Sequence, residues 1–118
     1  MADLLRSLEL PEGFRYPHQF LRTVALGLID LEPWWILEGD LLRARLAGVR
    51  TRYPARTLVP FARRQDTDDV ACFDQDTGKV VIIHDFASPG WEQRAEVDDF
   101  YGWLRQAIDD LVAFDADS

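Results

Sequence analysis

The sequence predicts a single α+β domain in which helices pack against a mainly antiparallel sheet, and three segments carry that expectation. Residues 69–74 and 79–86 are the clearest strands in the chain, and Gln75-Asp76-Thr77-Gly78 between them has hairpin-turn chemistry. Asp tolerates left-handed geometry there, and Gly supplies positive φ. The run Val80-Val81-Ile82-Ile83 shows no polar alternation, so that strand is expected near the middle of a sheet with both faces covered. A helix over residues 96–113 follows, with Val97, Phe100, Tyr101, Leu104, Ile108 and Leu111 stepping by three and four to form a stripe that packs on one face of the sheet. Trp103 lies beside that stripe and reads as a packing residue.

The remaining elements are read in chain order. Leu4, Leu5 and Leu8 fall at helical spacing before Pro11-Glu12-Gly13, so residues 1–16 form a short helix or an extended arm. Pro17 can occupy a helix's first turn, and Phe20, Leu21, Val24, Ala25 and Leu28 then mark an amphipathic helix that ends near Gly27. Residues 31–37 are aromatic and β-prone after Pro33, which predicts a strand or packed extended segment ending at Glu38-Gly39-Asp40. Over residues 41–53, Leu41, Leu42, Arg45, Leu46 and Val49 share a stripe with the other arginines outside. Gly48 and Pro54 limit this helix to two or three turns. Residues 57–62 predict a strand with Pro60 at an edge position, and residues 115–118 a frayed tail.

Length and composition exclude several classes. A chain of 118 residues fits one domain, 1–118, and 47% hydrophobic content is too high for a disordered chain. No stretch of about 18 apolar residues could span a bilayer. One cysteine, Cys72, cannot form an internal disulfide, and the charged opening does not resemble a secretory signal, so a cytoplasmic protein is expected. The net charge of -8 is unevenly distributed. Residues 1–60 hold 8 bases and 7 acids, whereas residues 61–118 hold 5 bases and 14 acids. Seven arginines (43, 45, 50, 52, 56, 63 and 64) occur between Leu41 and Gln65 without one acid. The basic run is expected to be neutralised by the acidic half in the fold, with a binding face as the alternative.

Catalytic patterns are weak. Asp66, Asp68, Asp69, Asp74 and Asp76 suggest a cation site, but Asp74, Asp76 and Gly78 are better explained as a hairpin turn, and no metal or cofactor is expected. His84 and Asp85 are adjacent in a strand and point to opposite sides, Cys72 lies mid-strand, and Ser88 lacks a nucleophile-elbow context. A non-enzymatic protein is therefore expected. The competing reading is a small hydrolytic or metal-dependent enzyme centred on His84, Asp85 and the acids at 66–76, which requires His84 and Asp85 to share a pocket. Trp34, Trp35 and Trp91 carry a better signal, since tryptophan buries a large area at interfaces with little entropy loss, although for any one of them plugging the core edge of a small domain is the favoured reading.

Taken in order, the helix at 17–28, Pro33-Trp34-Trp35-Ile36-Leu37, Leu58-Val59-Pro60-Phe61-Ala62, the hairpin at 69–85 and Val97-Asp98-Asp99-Phe100-Tyr101-Gly102-Trp103-Leu104 resemble the SUKH superfamily of Smi/Knr-like domains. The resemblance covers most of the chain from Pro17 and rests on hydrophobic pattern. It departs in Arg63-Arg64-Gln65-Asp66-Thr67-Asp68, where the family often has a glycine-rich turn. It implies a mixed, mainly antiparallel sheet with helices against it and a domain that binds other proteins. Many bacterial members resemble immunity proteins that neutralise toxins, and a regulatory or scaffold role without a toxin is the blander alternative. Partner contacts are expected among Trp34, Trp35, Arg63, Arg64, Asp66, Asp68, Asp85 and Trp91. An acidic chain suits a toxin with a basic surface and argues against direct nucleic-acid binding.

Overall fold

The computed structural model describes residues 2–116 and is an α+β domain of one six-stranded sheet and three helices. The elements are α1 (His18–Ala25), β1 (Asp30–Leu31), β2 (Trp34–Ile36), α2 (Gly39–Arg52), β3 (Leu58–Arg64), β4 (Asp69–Asp74), β5 (Lys79–His84), β6 (Gln93–Val97) and α3 (Phe100–Ala116). Strand order follows sequence order and every neighbouring pair is antiparallel, so the expected mixed component of the sheet is replaced by a simple meander.

Alternation along the strands divides the core. Val70, Cys72, Val81 and Ile83 face Val49 and Tyr53 at the C-terminal end of α2. Ala71, Phe73, Val80 and Phe61 face α1 and α3, where Phe20, Phe61, Phe73, Phe100 and Trp103 form edge and stacked ring contacts 4.4–5.7 Å between centroids. Because both faces are covered, the unalternating Val80–Ile83 run lies inside the sheet between β4 and β6 as expected. The 75–78 turn also forms as expected. Gly78 has φ +74, its N–H reaches the Asp74 carbonyl at 2.8 Å, and Asp74 Oδ1 accepts from the Asp76 amide.

α1 ends as the sequence indicates. Gly27 at φ +79 donates to the Val24 carbonyl and Leu28 donates to the Thr23 carbonyl, the paired bonds of a left-handed helix cap. The N-terminal residues form an extended arm with a turn at 7–9. Leu5 is buried, the Gly39 N–H donates to the Asp3 carbonyl, and Arg43 binds both Asp3 and Glu9.

Six expectations are corrected. The 31–37 segment is a small hairpin, with β1 and β2 joined at Glu32-Pro33. Its Asp30 carboxylate accepts from the Glu32 amide and ends the first strand. Pro60 lies in an interior strand, and the missing N–H is accommodated at a register shift between Pro60 and Ala62. Arg63 and Arg64 belong to β3, opposite Trp35 and Trp34, so the loop to β4 begins at Gln65. Residues 93–97 pair with β5 as a sixth strand, and α3 starts only at Phe100, where Asp99 Oδ1 accepts from the Gly102 amide. The buried face of α3 centres on Phe100, Trp103 and Ala107, while Ile108 is exposed. Asp115 and Ala116 continue α3, and residues 117–118 of the expected frayed tail lie outside the described residues.

α2 is also longer than expected, because Gly48 sits inside it for a packing reason. A Cβ on Gly48 would collide with the guanidinium of Arg52, which folds back along the helix to reach Asp85. Its buried stripe is Leu42, Leu46 and Val49, and Leu41 points outward. In an ordinary helix interior Gly→Ala gains about 1 kcal/mol. Here Gly48→Ala is expected to lower stability by about 1–2 kcal/mol by displacing a charge-assisted hydrogen bond, measured by urea unfolding. A gain in stability would contradict this packing.

Candidate functional site

The meander brings three connections to one end of the sheet: the Glu32-Pro33 turn, the loop 65–68 and the start of the loop 85–92. Backbone bonds tie them together, from the Gln65 N–H to the Pro33 carbonyl at 2.8 Å and from the Asp85 N–H to the Asp68 carbonyl at 3.0 Å. Seven of the residues expected at a partner surface (Trp34, Trp35, Arg63, Arg64, Asp66, Asp68 and Asp85) cluster at this end, and Trp91 follows in the loop. Their side chains do not form one surface. Cross-strand neighbours Trp34 and Arg64 turn to the α3 face, and Trp35 and Arg63 to the α2 face.

Trp34 is a core residue. Its ring meets Trp103 edge-on at 5.5 Å, and its Nε1–H donates to Asp110 Oδ2 at 2.9 Å. Arg64 donates to Asp66 at 2.7 Å and lies 3.5 Å from Asp110. Trp35 is half-buried and donates from Nε1 to Gln65 Oε1 at 2.8 Å. Asp66 and Asp68 are exposed. Among the described residues Arg63 makes no side-chain hydrogen bond or ion pair, unlike the six other arginines of the basic run.

Asp85 is not a surface group. It is 0% exposed, and its carboxylate accepts from Arg45 Nη1 at 2.7 Å, from Arg52 Nε and Nη2 at 2.7 and 2.6 Å, and from the Phe86 amide at 2.9 Å. Arg45 and Arg52 are seven residues apart on α2 and share a face. Burial raises the Asp85 pKa, but the hydrogen bonds from Arg52 and Arg45 outweigh it, and the net shift is downward. Immediately beyond, Phe86 takes φ +71 and lays its ring over the Arg52 guanidinium, 4.0 Å from its centroid.

The same loop is held at two more points. The Tyr53 hydroxyl donates to the Ala87 carbonyl at 2.8 Å. Glu92 is buried, accepts from Arg56 at 2.7 Å and from the Gly90 amide at 2.6 Å, and is more acidic than usual because the Arg56 hydrogen bond overcomes burial. Arg56 also reaches Asp74 and Gln93, so residues 85–92 are fixed over the α2 face of the sheet. Between these anchors the loop displays Phe86 at 63% exposure and Trp91 at 82%.

His84 and Asp85 do not share a pocket. The His84 ring lies 3.2 Å from Asp69 Oδ1, which also pairs with Arg94 at 2.9 Å, while the Asp85 carboxylate is held by α2. Cys72 is buried, and burial pushes its thiol pKa up. Among the described residues no three His, Cys, Asp or Glu side chains converge on one point. No described helix is long and apolar enough to cross a membrane.

Sequence reasoning overlooked Arg45 and Arg52 as partners of Asp85, and Phe86 as an exposed aromatic. The seven-residue arginine spacing across a helical glycine was the available signal. No protein-family model, curated protein or solved structure matches the chain.

Replacing Asp85 with Asn leaves two arginines facing an uncharged group and is expected to cost about 3 kcal/mol in urea unfolding. The pH response follows from the same pairs. Asp85, Glu92 and Glu9 are more acidic folded than unfolded, so their stabilisation is complete above the unfolded carboxylate range of about 4–4.5. It is lost as pH falls through the folded values, which for Glu9, hydrogen-bonded by Arg43, is about 2. Unfolding midpoints are therefore expected to drop steadily below about pH 4.5, and less steeply for Asp85→Asn. Equal slopes would show that Asp85 does not contribute.

Proposed function

We propose that this chain is a non-enzymatic protein-binding domain of the SUKH type, acting as an immunity protein against a toxin with a basic surface. The observation that carries the reading is Trp91, 82% exposed on a loop that three side-chain anchors hold rigid. A large aromatic costs solvation when left in water, and a fixed loop has little entropy left to lose when it binds. Net charge adds to this. Ion pairing consumes Asp74, Asp85 and Glu92 but leaves the molecule at -8, which favours encounter with a basic partner.

Trp91→Ala tests the proposal because the side chain supports nothing else. Stability is expected to stay within about 0.5 kcal/mol. Affinity for the product of a toxin-like gene beside the coding gene, measured by calorimetry, is expected to fall at least about tenfold, with loss of protection in cells expressing that toxin. An unchanged affinity, or a gene neighbourhood without a toxin, would overturn it.

A further inference from the structure

We propose that the α2 face carries a docking groove for an amphipathic helix of the partner, apolar along one side and basic at its C-terminal end. The inference rests on the protein-binding reading and adds a second contact, separate from Trp91. Two hollows share one residue, Leu41, which is 67% exposed. The first, about 370 Å³, is walled by Ile29, Trp35, Leu37 and Leu41, with Arg63 on its side. The second, about 250 Å³, continues from Leu41 past Ala44 and Gly48 to the exposed ring of Phe86. Its floor is the Arg52 guanidinium, whose charge Asp85 already holds.

The shape selects a helix. From Leu41 to Gly48 the trough runs about 10 Å along α2, two turns of a second helix, so apolar side chains at i, i+3 or i+4 and i+7 would fill it between Trp35 and Phe86. Ala44 leaves the space between the Leu41 and Phe86 ridges, and the Arg52 guanidinium fills the position over Gly48.

Charge sets the orientation. Asp30 and Glu38 line the hollow at the Leu41 end, and neither forms an ion pair among the described residues. Arg63, in the same hollow, has donors with no acceptor. The C-terminal end of a helix presents free carbonyl oxygens, which Arg63 can bind, and lysine or arginine in its last turn would meet Asp30 and Glu38. Concentration-dependent self-association of the free chain through this face, measured by sedimentation, would overturn a partner's helix as its occupant.

The probe is a pair of fifteen-residue helical peptides with one leucine stripe, differing in Lys or Glu in the last turn, titrated into the isotope-labelled chain and followed by NMR. The Lys peptide is expected to perturb the Trp35 indole, Leu41, Ala44 and Phe86 and to bind at least about tenfold more tightly than the Glu peptide. Leu41→Ser, at an exposed position, is expected to weaken it about tenfold with an unchanged urea midpoint. Equal binding of the two peptides, perturbations centred on Asp98, Asp99 and Asp109 instead, or no effect of Leu41→Ser would overturn the groove. If Trp91→Ala breaks the toxin complex and Leu41→Ser does not, the groove fails while the protein-binding reading stands.

Discussion

One carboxylate organises this molecule. Asp85, wholly out of solvent, accepts three hydrogen bonds from Arg45 and Arg52, and those arginines fix the rotation of α2 over the sheet. A pair of this kind is costly to bury and costlier to break, because losing one member strands the other charges in a poor solvent. Several local oddities follow from it. Gly48 appears inside a helix because Arg52 needs the space, Phe86 accepts a left-handed backbone beside the carboxylate, and the loop after β5 is tied to the end of α2 by the Tyr53 hydroxyl on the Ala87 carbonyl.

The uneven charge acquires a structural meaning in these terms. The arginines of residues 43–64 are mostly internal partners: Arg45 and Arg52 for Asp85, Arg56 for Asp74 and Glu92, Arg64 for Asp66, and Arg43 for the arm acids Asp3 and Glu9. These contacts join segments up to forty residues apart, so the basic and acidic halves must fold together. Arg50 donates to the Glu9 carbonyl, and Arg63, the one arginine of the run without a side-chain partner among the described residues, faces the hollow beside Trp35.

Local chemistry was legible in the sequence, and long-range partnership was not. The β4–β5 hairpin, the interior position of β5 and the cap of α1 at Gly27 follow from residue type and spacing alone. β6 did not: Gln93-Arg94-Ala95-Glu96 has an exposed strand's polarity, and hydrogen bonds to β5 decide its conformation. Pro60 read as an edge signal because a bulge that absorbs the missing N–H leaves no trace in composition. The residues expected at a partner surface lie toward one end of the sheet, yet Trp34 and Asp85 proved to be interior. Large aromatics and charged groups look alike in sequence whether they meet a partner or a neighbouring strand.

If Asp85 and Glu92 make residues 85–92 part of the core, the loop opens only when the protein unfolds. Native-state hydrogen exchange measures this at the Asp85, Phe86 and Trp91 amides, which donate to the Asp68 carbonyl, the Asp85 carboxylate and the Ser88 carbonyl. Their opening free energies are expected to approach those of Cys72 and Val81 in β4 and β5. Exchange as fast as that of the exposed 65–68 loop would contradict the account.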